Sequence, residues 1–263
     1  MILSSIQWSG AFAVAAAACW FDVRTRSIPH AVRTAVIATL LVATTATATD
    51  YKIVRRTSID GGEYQQQTEY WTRRRVVLDD PAQRTIVDFT AGTATIVDQD
   101  ARTFTKIDLD DLRRGLVAVG EIIERLPAPA REALGVGRNV TLAATGNFTK
   151  IAGHRAREYG VAGDNITGWL WLAEDVDPRA ILGDEATAWW RAGGPLRAVG
   201  PLGDVARAID AAHLKGMPVW AWISVGSKET GTSTVASEVL SIDEEPPPAE
   251  VVGVPPGYRE QGG

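Results

Sequence analysis

YKIVRRTSIDGGEYQQQTEYWTRRRVVLDDPAQRTIVDFTAGTATIVDQDARTFTKI, residues 51–107, sets the fold class. Its short runs of Thr, Val, Ile and aromatic residues are interrupted at Asp60-Gly61-Gly62, Asp79-Asp80-Pro81, Ala91-Gly92 and Asp98-Gln99-Asp100. Branched and aromatic side chains pack on a pleated surface, while Gly, Asp and Pro accept the turn geometries between strands, so the pattern is that of an antiparallel meander. Strands are expected near 51–59, 64–78 with a bend, 84–89, 93–97 and 103–107.

Beyond the meander the period changes. Leu112, Leu116, Val119, Ile123 and Leu126 recur at spacings of three and four, with Asp108 or Asp110 as the cap and Pro127 and Pro129 as the stop. That is one apolar face of a helix. After a looser stretch, 127–138, strands are expected at 139–148, 155–161 and 166–173. Asp177-Pro178 then places a capping carboxylate before a proline at the first helical position, opening a helix through Trp190 and Arg191 that stops at Gly193-Gly194-Pro195. A further helix at about 202–214, strands near 217–225 and 231–242, and a proline-rich extended tail over 244–263 complete one α+β domain that is mostly β, spanning 49–243.

The N-terminal residues read differently. Arg24, Arg26 and Arg33 precede the apolar run TAVIATLLVA, residues 34–43, and Ala46-Thr47-Ala48 gives a small-x-small cleavage site. This is the layout of a secretory signal, the apolar run being too short for a transmembrane helix. Cleavage is expected after Ala48, with Ala46 and Ala48 read by the peptidase, and the exported protein is expected in the periplasm. Residues 1–22 read as an over-extended start ahead of Val23. A rival is a lipid anchor at Cys19, after Ala16-Ala17-Ala18.

Cys19 is the single cysteine, so the portion beyond residue 48 has neither disulfides nor thiolate metal sites. The whole chain carries −5, and three arginines and one aspartate within residues 1–49 leave the remainder at −7. Without a long basic run, such a domain has little to attract a polyphosphate, which speaks against a nucleic-acid partner.

Catalytic constellations are missing from the sequence. His154 and His213 are the only histidines beyond residue 48; there is no H-E-x-x-H, G-x-S-x-G, Walker loop or placed G-x-G-x-x-G. Asp98, Asp100, Asp108, Asp110 and Asp111 suggest a calcium loop, but Thr103 stands where glycine is needed and no glutamate closes it. Turn and cap carboxylates explain these residues better. No catalytic residue, cofactor or metal is expected, and both histidines are given structural roles.

Tryptophan is the unusual residue. Seven of nine lie beyond residue 48, and six form pairs: Trp169 with Trp171, Trp189 with Trp190, and Trp220 with Trp222. A spacing of two on a strand points both rings to one face. Leu170 and Leu172 lie behind the first pair, and Val219, Ala221, Ile223 and Val225 behind the last, so both strands need cover on both sides. A filled core and a ligand site lined by Trp169, Trp171, Trp189, Trp190, Trp220 and Trp222 are both consistent with this pattern.

Four phrases share an order and spacing with a known family. They are Asp98-Gln99-Asp100-Ala101-Arg102-Thr103-Phe104-Thr105-Lys106-Ile107-Asp108; Ile151-Ala152-Gly153-His154-Arg155-Ala156-Arg157-Glu158-Tyr159 followed by Gly168-Trp169-Leu170-Trp171-Leu172; Leu214-Lys215-Gly216-Met217-Pro218-Val219; and Val254-Pro255-Pro256-Gly257-Tyr258. With the order of elements, they resemble the LolA-like superfamily of periplasmic lipoprotein carriers, in its domain of unknown function 4412 branch, over nearly all of 51–259. The resemblance implies a curved antiparallel sheet, an incomplete β-barrel, with helices covering its concave apolar face. It also implies non-catalytic binding or carriage of a hydrophobic small molecule or lipidated protein at the envelope. The high tryptophan content departs from that pattern: if the rings fill the hollow, the protein is an envelope scaffold or sensor that contacts another protein.

Overall fold

The computed structural model describes residues 49–127, 139–183, 201–227 and 231–261. Six strands form the N-terminal meander: β1 Tyr51–Ile59, β2 Gln65–Trp71, β3 Arg75–Asp79, β4 Gln83–Asp88, β5 Thr93–Asp98 and β6 Thr103–Asp108. After the helix Leu109–Arg125 come β7 Val140–Ile151, β8 His154–Gly163 and β9 Ile166–Ala173. A helical stretch opens at 178, followed by the helix Pro201–Ala211, β10 Met217–Ser227, β11 Gly231–Glu244 and a short β12 Arg259–Glu260. The protein is mostly β, as expected, and its strands form one open sheet in the order β12-β6-β5-β4-β3-β2-β1-β11-β10-β9-β8-β7.

Carboxylates at strand ends make the meander's turns. Asp80 Oδ1 accepts from the N–H groups of Ala82 and Gln83, Asp88 from Ala91, and Asp98 from Ala101. Asp108 closes the series as the helix cap, accepting from the N–H groups of Asp110 and Asp111. These bonds satisfy backbone donors that would otherwise lack partners at turns and helix starts. The acidic stretch is thus accounted for by turn and cap chemistry at Asp98 and Asp108, and no metal-binding cluster occurs among the described residues. Asp177 likewise accepts from the N–H of Arg179 ahead of the predicted helix.

The expected bent strand over 64–78 is two strands. Thr72 interrupts it: its Oγ1 accepts from the N–H groups of Arg74 and Arg75, a side-chain-to-backbone pattern that turns the chain.

Two meanders meet at one seam. β1 pairs on one side with β2 and on the other with β11, with Ile53 opposite Ile242, so the first strand of the N-terminal meander lies near the middle of the sheet. A buried polar network ties the seam together. Arg55 Nε donates to Glu69 Oε1 at 2.6 Å, Trp71 Nε1 donates to Glu69 Oε2 at 3.0 Å, and Arg55 Nη1 reaches the Pro218 carbonyl at 3.3 Å. The register shifts between Pro218 and Trp220, and Arg55 satisfies the carbonyl beside that bulge.

Alternation along the strands sorts the apolar residues into separate layers. Trp71, Val76, Leu78, Val87 and Ala94 cluster with Leu109 and Leu112 of the first long helix and with Val176, Ile181 and Leu182. Leu112 is buried as expected, whereas the side chains of Leu116, Val119 and Ile123 lie outside the described residues. On the opposite face Tyr70, Val77, Ile86 and Val97 pack with Val251, Val252, Val254 and Tyr258. Residues set apart by the sequence as a tail therefore lie against the sheet, and β12 pairs in parallel with the edge strand β6. Arg84 Nη1 donates to the Glu250 carbonyl at 2.8 Å, holding the start of this strap.

Candidate functional site: the tryptophan face

β9 and β10 pair antiparallel with Trp171 opposite Trp220 and Trp169 opposite Trp222. Directly opposed residues share a face, so the four indoles form one block on one side of the sheet. The Trp169 and Trp222 ring centroids are 5.3 Å apart with planes tilted by 38°, within the range of favourable aromatic contact. Gly168 permits this close strand approach: a Cβ there would lie 2.1 Å from the Trp222 carbonyl oxygen.

The reverse face is sealed. Leu170, Leu172 and Ile223 are buried, and they cluster with Tyr159, Val161, Ile166 and Val205, with Ile209 and Leu214 packed alongside. Val205 and Ile209 belong to the helix Pro201–Ala211, so this helix covers the side away from the indoles. The sequence spacing rightly requires cover behind the tryptophans, and the structure supplies it from this segment.

The indole face is uneven. Trp171 packs against the principal core, and Trp220 and Trp222 are half-buried. Trp169 leaves 47% of its surface exposed, one of five large apolar side chains so placed among the described residues. Trp189 and Trp190 lie outside the described residues, as do Ala46, Ala48 and Cys19.

Cross-strand register shows neighbours that the sequence could not. One row across the sheet reads Arg56, Glu238, Trp220, Trp171, Glu158 on β1, β11, β10, β9 and β8. The next reads Ala236, Trp222, Trp169, Gly160, Ala143, so small residues flank the exposed ring pair. The two glutamates differ. Glu238 is neutralised by Arg56, whose Nε and Nη2 both donate to Oε2, at 2.8 and 2.5 Å. Glu158 Oε2 accepts from Thr145 Oγ1 at 2.7 Å and Asn147 Nδ2 at 2.6 Å, both uncharged donors in the irregular stretch of β7.

His154 Nδ1 lies 3.1 Å from Asp175 Oδ2, and exposed His213 follows a helix end with φ of 50°. On the β7–β8 hairpin Phe148 carries the guanidinium groups of Arg155 and Arg157, at 4.3 and 4.9 Å from the ring centroid. Among the described residues no helix is long and apolar enough to cross a membrane.

No family model matches the chain, and no curated protein matches it. Among solved structures it has a distant likeness to PNGF-II in one crystal form, with a TM-score of 0.36 and 13% identity over 81% of this chain and 31% of that one. A second crystal form of PNGF-II gives a TM-score of 0.34 and 11% identity, over 77% and 30% of the two chains. The chain therefore spans less than a third of PNGF-II. A LolA superfamily protein from Nitrosomonas europaea gives a TM-score of 0.23 and 7% identity, covering 78% of this chain and 89% of that one.

Proposed function

We propose that this protein binds or carries a hydrophobic ligand, an acyl chain or a lipidated polypeptide, on the tryptophan face of β9 and β10, outside the cytoplasm and without catalysis. The observation that carries the proposal is the half-exposed Trp169 stacked on Trp222, above strands whose reverse face is sealed. Two adjacent indoles present apolar area that water solvates poorly, and a contiguous apolar patch of this kind marks interaction sites on soluble domains. Burying one fatty chain releases on the order of 10 kcal/mol gross, and an open face recovers about half of that. A dissociation constant of roughly 0.1–1 mM is expected.

The proposal includes curvature of the open sheet into an incomplete barrel with this face as its lining, and membership of the domain of unknown function 4412 branch of the LolA-like superfamily. Export by cleavage after Ala48 belongs to it too. N-terminal sequencing of envelope-fraction protein should begin at or near Thr49, and an intact Met1 from the cytoplasm would remove this part. The central test is a titration with a neutral alkyl glycoside while indole emission is recorded. A saturable shift supports binding, and a flat response overturns it.

One observation favours a rival, an envelope scaffold or sensor making protein contacts. β7 is the outer strand of the sheet, and its residues Ala143–Lys150 are all exposed. An uncovered edge offers unpaired backbone groups to an added strand.

A further inference from the structure

Resting on the hydrophobic-ligand reading above, we propose that the tryptophan face selects amphiphiles with a cationic head, an alkyl chain ending in an ammonium group, over those with an anionic one. The inference comes from the row that crosses the site. At one end Arg56 takes up the charge of Glu238 through two donors to a single oxygen. At the other end Glu158, directly opposite Trp171 in the β8–β9 ladder, is held only by the hydroxyl of Thr145 and the amide of Asn147 among the described residues. The aromatic block is thus bordered by one carboxylate paired with a guanidinium and one held by uncharged donors.

Two effects then act in the same direction. Indole faces attract cations through their quadrupole, and Trp169, half in water, lies beside the half-buried Trp222. A carboxylate across a ladder pair, with Cβ atoms typically about 5 Å apart, adds attraction for a positive head and repulsion for a negative one. The guanidinium of Arg56 is already engaged, so it offers an anionic head little in return. Small residues at Ala236, Gly160 and Ala143 leave room for the chain beside the rings. A fatty-acid anion would lay its carboxylate toward Glu158, whereas an ammonium would sit between that carboxylate and an indole.

The test uses three probes of one chain length: decyl maltoside, decyltrimethylammonium and decanoate, each below its micelle concentration, with indole emission as the readout. Decyl maltoside reports apolar binding alone; if it fails to bind, the hydrophobic-ligand reading fails and this inference goes with it. If it binds, the ammonium probe is expected to bind about tenfold more tightly than decanoate at low salt, the gap narrowing as salt screens the charges. Because the whole domain is acidic, general attraction of cations must be separated from the local effect. Glu158→Gln keeps an acceptor for Thr145 and Asn147 while removing one charge, and should reduce the preference to threefold or less. Glu158→Lys should reverse it. Equal binding of the two charged probes to the parent, or a preference that survives Glu158→Gln, overturns the proposal.

Discussion

The two halves of the sheet bury their surfaces to different extents. From β2 to β6 both faces are occupied: Leu109, Leu112 and the 176–182 segment lie on one, and the strap carrying Val251 and Tyr258 lies on the other. In β9 and β10 the helix Pro201–Ala211 seals one face, while the other carries four indoles, one of them 47% exposed. Local sequence does not separate the halves, since strands in both are apolar on both sides. The difference arises from which distant segments return to each face. Among the described residues the first half is covered on both faces, and the other half leaves Trp169 half exposed.

Five substitutions test this difference between the halves. The largest effect is expected at the seam that joins the halves. Glu69→Ala removes the buried partner of the half-buried Arg55 and of the Trp71 indole N–H, and should cost about 3 kcal/mol in chemical denaturation. A cost below about 1 kcal/mol would show that the seam does not depend on this network. Next, Leu172→Ala on the sealed side of the tryptophan strands deletes a fully buried side chain and should cost about 3 kcal/mol.

Smaller effects follow. Val251→Ala should lower stability by roughly 1.5 kcal/mol if the strap truly closes the face of Tyr70 and Val77, and a thermal melt unchanged within error would leave that face open. Asp88 supplies a pH-dependent case. Burial, the largest single influence, pushes its carboxyl up, but hydrogen bonds from Ala91, Arg75 and Thr90 and the positive charge of Arg75 together outweigh it and hold the carboxyl below the ordinary 3.8. The charged form therefore stabilises the fold above pH 3.8, and that contribution is lost as pH falls through the depressed folded value. Asp88→Asn should cost about 1 kcal/mol at neutral pH and progressively less in acid; a penalty constant with pH would contradict this origin.

The smallest expected change in stability bears most on function. Trp169→Ala should cost less than about 1 kcal/mol, because nearly half of the side chain is already in water, yet it should weaken the response to decyl maltoside at least fivefold. If it destabilises as much as Leu172→Ala, both faces of these strands are structural and the scaffold reading gains.

Local content follows from short-range chemistry along the chain. Carboxylates before turns, branched runs and two-residue spacings act within a few residues, so the meander, the Asp108 cap, the Asp177-Pro178 helix start and the face shared by Trp169 with Trp171 and by Trp220 with Trp222 were legible. The break at Thr72 was missed because its signal is a single hydroxyl bonding to nearby backbone N–H groups within a β-favourable run. Distant register emerges only when the whole sheet assembles. Nothing local in β1 states that it pairs with β11, that a proline-rich tail folds onto Tyr70 and Val77, or that Glu158 stands opposite Trp171 while Arg56 neutralises Glu238. Side-chain alternation fixes which residues share a strand face, but the partner across the ladder is chosen by the summed burial of the whole sheet, and a shift of one residue would place Glu158 on the other side.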